Sequence, residues 1–140
     1  MRGHKLAFYD HTQRWMGAVA SVERSTSEND EVWGCVWRVS DSYASELDKQ
    51  ERGYHRLTVE VEMNGVPLEC RTYQYSNPSR KSSLPSPHYK QVIVSGAIQH
   101  SLPIEYIDKL KLIEDNGFVG KINMDLDAIK HLNYTLNSDN

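Results

Sequence analysis

The chain opens on an alternation. In HKLAFYD, Leu6 and Phe8 stand two residues apart, the period of a β-strand. WMGAVASVE, Trp15 to Glu23, reads as a second strand, and the polar RSTSENDE after it as an exposed turn. EVWGCVWRV, Glu31 to Val39, is the most apolar and β-prone stretch of this half. Trp33 and Trp37 alternate there with Val32 and Val36, which predicts a strand covered on both faces. The pattern then turns helical. SDSYASELDKQE offers Ser40 or Ser42 as N-cap, with Tyr43 and Leu47 four apart for a buried face and Gly53 as the stop.

YHRLTVEVEMNGVPLECRTYQY carries the clearest local signal. Two alternating runs flank Asn64-Gly65, the preferred pair for a two-residue type I′ hairpin. Leu57, Val59, Val61 and Met63 form one face of the first run, while Leu68 and Cys70 share a face of the second. SNPSRKSSLPSP, Ser76 to Pro87, is a Ser/Pro loop whose Ser86-Pro87 suits the N-cap and N1 of a helix through HYKQVIVSGAIQH. Pro103 opens another helix, PIEYIDKLKLIE, and MDLDAIKHL predicts a short terminal one. Strands precede helices with no linker or repeat, so the expected fold is a single α+β domain with an antiparallel or mixed sheet.

Composition changes this picture little. The 140 residues are 25% charged and 39% hydrophobic, as in an ordinary globular domain able to bury roughly two-thirds of its unfolded surface. A net charge of −3, from 16 basic and 19 acidic residues, gives no footprint for nucleic acid. The longest apolar run, VIVSGAI, is far too short for a membrane span, and MRGHKLAFYD lacks the core of a signal peptide. A cytoplasmic location follows by default. Cys35 and Cys70 lie in strand-like apolar runs and are expected to be reduced and buried. The six histidines show no metal-ligand spacing and read as scattered surface residues. No Gly-rich phosphate loop or GxSxG occurs. Glu51 stands where the helix gives way to a strand, near Tyr54, and Tyr54, Tyr73 and Tyr89 could meet it in space. Spacing alone leaves open whether it is a solvated charge or a base, and whether the phenols are packing residues.

Several of these stretches, in the same order, resemble the gamma-glutamylcyclotransferase family. DEVWGCVWRVSDSYASELDKQE is similar to its strand–helix segment ending in Leu-Asp-x-Gln-Glu, and CRTYQY to its strand after the hairpin. PSPHYKQVIVSGAIQHSLPIEYIDKLKLIEDNGFVGK is similar to its two helices and the Gly-Lys near the end. The resemblance, from about Leu6 to Ile129, implies a mixed, barrel-like sheet with helices around it. It implies an enzyme of the lyase or acyltransferase kind that cyclises a gamma-glutamyl amino acid to 5-oxoproline and frees the attached amine, in glutathione turnover. It places the general acid/base on Glu51 and substrate-contacting phenols on Tyr54, Tyr73 and Tyr89. The scheme needs no cofactor or metal, and the resemblance also implies a homodimer. Members usually begin with a strand carrying Tyr-Gly-Ser-Asn-Leu, which supplies backbone donors around the glutamyl group. This sequence has no such motif, and the family's Glu-Gly-Val…Gly-x-Tyr is shortened to ERGY, Glu51 to Tyr54. The domain, residues 1–140, is therefore expected to lack the first strand and substrate loop. The alternative is a catalytically impaired member that binds a ligand or a protein partner.

Overall fold

A computed structural model describes residues 1–134. Its elements are β1 (His4–Thr12), β2 (Gly17–Arg24), α1 (Asp41–Gln50), β3 (Tyr54–Met63), β4 (Val66–Tyr75), α2 (Pro87–Gln99), α3 (Ile104–Lys111), a 3₁₀ turn (Asp127–Ile129) and α4 (Lys130–Tyr134). This is an α+β chain. Its strands form two separate two-stranded sheets, β1–β2 and β3–β4, that are not closed into a barrel. The described residues cluster into two compact units, Met1–Ala7 with Ala20–Arg80, and Phe8–Val19 with Lys81 onward. β1 and β2 each contribute residues to both.

The first unit is built on the β3–β4 hairpin. Asn64 and Gly65 both hold positive φ, 53° and 78°, as a type I′ turn requires. The ladder then runs in unbroken antiparallel register from Met63↔Val66 to Tyr54↔Tyr75. Val59 is the buried centre of the inner face, with Leu57 and Val61 half-buried and Met63 exposed. Three bonds tie β4 to the second half of β2: Tyr75 N–H to Ser21 Oγ, and Gln74 Nε2 to the Val22 carbonyl and the Glu23 carboxylate. Ser40 caps α1 by accepting from Tyr43 N–H. The helix nevertheless buries no residue, and Tyr43, expected on a buried face, is exposed.

The expected strand over Glu31–Val39 does not form. Glu31 makes an isolated antiparallel bridge with Arg2, and the Met1 ammonium and carbonyl bond to the Val32 carbonyl and N–H. Beyond Val32 the chain is irregular and exposed, Trp37 by 71%. A strand satisfies its backbone groups only through a neighbour. Met1–Gly3 pairs with residues 30–32 and no further, and Gly34, Cys35 and Val36 make no backbone hydrogen bond among the described residues. Cys35 is consequently exposed rather than buried, and Cys70 is half-buried.

In the second unit, α2 begins as its sequence predicts, with Ser86 accepting from Tyr89 N–H and Pro87 at N1. α2 packs against α3 and the 3₁₀ turn. Its core gathers Ala18, Val94, Ala97, Ile107, Leu110, Ile122 and Ile129. Asn133 clips the Ile122 backbone at both N–H and C=O. Not every histidine is a surface group, since His4 and His88 are buried.

Candidate functional site

Glu51 is the C-cap of α1, with its N–H donating to the Leu47 carbonyl at 3.1 Å. Its own carbonyl accepts from Tyr54 N–H at 3.2 Å, so the turn into β3 closes directly on it. The side chain is half-buried, and its carboxylate has no hydrogen bond or ion pair among the described residues. A negative charge at a helix C-terminus also opposes the helix dipole. An unpaired acid in that position is a local cost with no local compensation.

Asp48, one turn earlier on α1, is the opposite case. Tyr73 Oη donates to Asp48 Oδ1 at 2.6 Å. Arg71 and Arg56 reach Oδ2 at 3.3 and 3.4 Å. The phenol bond has the ordinary length of a charge-assisted O–H···O⁻ bond, whereas both guanidinium contacts are long for one. Tyr73 therefore makes the principal contact. Arg71 also donates to the Ala44 carbonyl at 3.3 Å, which moors the middle of α1 to β4. Partial burial, and then the bond to Asp48, push the Tyr73 phenol above its ordinary pKa. Arg71 opposes this, while the charges of Asp48 and Glu51 add to it. Tyr73 thus stands within electrostatic reach of Glu51.

Tyr54 follows Glu51 closely in the backbone, but its hydroxyl donates to the Ala20 carbonyl at 2.8 Å and its ring meets Tyr75 edge-on at 5.4 Å. Tyr89 lies in the second unit, in the first turn of α2. Its ring packs on Trp15 at 4.7 Å and edge-on to Phe8 at 6.4 Å. Of the sequence-predicted residues, Glu51 and Tyr73 are brought into one electrostatic neighbourhood, and Tyr54 turns its hydroxyl elsewhere. The residues that sequence reasoning missed are Asp48, Arg56 and Arg71. The available signal was the spacing of Asp48, three residues before Glu51 and hence on the same helix face.

A cleft of about 410 Å³ in the first unit lies elsewhere, lined by Leu57, Val59 and Val61 with Arg2, His4 and Arg24 among others. None of the four expected site residues lines it. No cluster of three or more His, Cys, Asp or Glu among the described residues is arranged to hold a metal. No helix among them is long and apolar enough to cross a membrane.

Against this geometry, residues 31–110 match the AIG2-like family. The chain is 41% identical to a gamma-glutamylcyclotransferase of Mus musculus and 37% identical to one of Homo sapiens, each over 123 residues. Both matches take in 84% of this chain and 63% of the relative, so the chain spans somewhat under two-thirds of the length of these curated relatives. A solved structure titled gamma-glutamyl cyclotransferase superposes with a TM-score of 0.80 at 37% identity, covering 87% of this chain and 75% of that one. The chain belongs to the gamma-glutamylcyclotransferase family.

Proposed function

We propose that the protein is a cofactor-independent gamma-glutamylcyclotransferase that acts on gamma-glutamyl amino acids in cytoplasmic glutathione turnover, with Glu51 as its general acid/base. The reading is carried by one observation: the Glu51 carboxylate is uncommitted, while the acid one turn away is engaged by Tyr73 and two arginines. The substrate's α-amine and side-chain carbonyl belong to one molecule, so the protein gains by holding the folded-back rotamer. An α-ammonium has a pKa of about 8 in model peptides, so a base must first remove its proton. Glu51 takes that proton. The freed nitrogen lone pair attacks the γ-carbonyl carbon, and a new C–N bond closes the five-membered ring. Collapse of the tetrahedral intermediate breaks the old C–N bond. Glu51 then returns its proton to the departing nitrogen, and the second proton on the ring nitrogen passes to the released amine, leaving 5-oxoproline, an ammonium and an ionised Glu51. Tyr73 is proposed to contact the substrate beside Glu51. Tyr54 and Tyr89, and a homodimeric assembly, are carried over from the family resemblance.

Mass spectrometry for 5-oxoproline released from gamma-glutamyl-alanine is the direct test. Glu51→Gln is expected to lower turnover at least about 100-fold, the low end for a lost acid/base, with an unchanged circular dichroism spectrum. A Gln variant as active as the parent would remove Glu51 from the reaction. The exposed, irregular stretch after Val32 favours a second reading, a member of the family that binds a ligand or protein without turning it over. Binding of 5-oxoproline with no product from gamma-glutamyl-alanine would select it.

A further inference from the structure

β-Strand geometry puts Arg71 and Tyr73, two residues apart on β4, on one face, and the register sets Arg56 directly across from Tyr73. All three side chains converge on Asp48, which holds its carboxylate in a structural network. A phenol has one proton to donate and two lone pairs to accept with. Tyr73 gives its proton to Asp48, so toward any ligand its oxygen can act only as an acceptor. Donation to a carboxylate also polarises the phenol and strengthens its oxygen as an acceptor. Glu51, on the same helix face, is an acceptor too. An acceptor held on Asp48 and a second one three residues along the same helix face suit a group with several N–H bonds and a positive charge.

We propose that Asp48 is a positioning residue that, by accepting the Tyr73 hydroxyl, presents the phenol's lone pairs to the α-ammonium of the gamma-glutamyl substrate beside Glu51. This rests on the enzymatic reading above. The ammonium has three N–H bonds. Tyr73 Oη takes one and Glu51 takes another, the one whose proton it removes. With one N–H still held by the phenol, the lone pair that appears on nitrogen cannot rotate freely and is directed at the γ-carbonyl. Without Asp48 the phenol is free to donate to Glu51 instead, which engages the base and turns the acceptor away. The elevated pKa of Tyr73 fits this arrangement, since the phenol keeps the proton it must donate.

Two measurements separate the parts of this proposal. The first needs no turnover: carbon-13 NMR of the tyrosine ring carbons across alkaline pH, with Tyr73→Phe to assign the Tyr73 signal among eight tyrosines. Asp48→Asn is expected to lower the Tyr73 pKa toward the ordinary tyrosine value. The second is a double-mutant cycle on 5-oxoproline release. Asp48→Asn is expected to lower kcat/KM about tenfold and Tyr73→Phe at least as much, with the double variant no worse than Tyr73→Phe alone, because Asp48 acts through that hydroxyl. Losses that multiply in the double variant overturn the proposal, as does an unmoved Tyr73 titration in an active protein. If Asp48→Asn fails to fold, Tyr73→Phe decides: an unchanged kcat/KM overturns the proposal. A parent chain that makes no 5-oxoproline, while Asp48→Asn still shifts the Tyr73 titration, overturns the enzymatic reading and the proposal with it.

Discussion

Two stretches that carry the family resemblance fare differently. Pro85–Gln99 folds as its sequence predicts, and Val32–Val39 does not. The helix closes its hydrogen bonds between residues four apart and needs from outside only a cap, which Ser86 supplies one residue before it begins. The would-be strand has stronger propensity, but every bond it needs lies on another strand. Propensity prepares a segment for pairing and cannot replace the partner. The β3–β4 hairpin makes the same point from the other side, since its two strands meet across the turn residues Asn64 and Gly65.

The largest expected effect lies where the well-folded stretch is most crowded. At Gly17 an added Cβ would run into the Ser86 backbone nitrogen and lie 2.9 Å from the Pro85 carbonyl carbon. Both are backbone atoms that no rotamer change can move. Gly17→Ala should destabilise the protein by about 3 kcal/mol, the upper end for overpacking, as read by chemical denaturation.

A middle-sized effect should follow from pH. His88 is 2% exposed, and neither ring nitrogen has a partner at hydrogen-bonding geometry. Burial lowers its pKa, with the nearby Asn133 side chain and Gly120 backbone opposing and His131 adding to the lowering. The folded protein thus resists protonating His88, whereas the unfolded chain takes up the proton near the ordinary value of 6.5. Stability is fully present above that pH and falls as the pH drops below it toward the folded-state value. Denaturation midpoints should decline between pH 7 and pH 5, and His88→Phe, beside Phe118, should flatten that decline. An equal slope in the variant would assign it to other groups.

Trp37→Ala should do least. With the indole 71% exposed, the denaturation midpoint should move by no more than about 0.5 kcal/mol equivalent. A loss of several kcal/mol would mean that the 32–39 stretch is packed in solution, and would end the contrast.

Features legible in the sequence had their chemistry within a few residues: the Ser40 and Ser86 caps, the Asn64-Gly65 turn and the start of β3 after Gly53. What escaped was set by distant neighbours. The missing strand depended on a partner beyond Met1–Gly3, and the burial of His88 depended on tertiary packing in its unit. For the candidate site, motif likeness singled out Glu51, Tyr54, Tyr73 and Tyr89; the structure sets Tyr73 within electrostatic reach of Glu51, turns the Tyr54 hydroxyl to the Ala20 carbonyl and packs Tyr89 on Trp15. It gave no notice of Asp48 as a hub, because its donors come from 8, 23 and 25 residues away, on two strands whose register only the fold reveals.

The exposed stretch also governs how this protein looks to a spectrometer. Of its three indoles, Trp33 and Trp37 both sit there, wetted by solvent before any denaturant is added. Intrinsic emission is therefore a poor thermometer of the hairpin and helices, and Trp15, the remaining indole, packs on Tyr89 of α2. The same emission is a ready-made lamp for whatever comes to lie against residues 33–39, since covering those rings would shift their light to the blue.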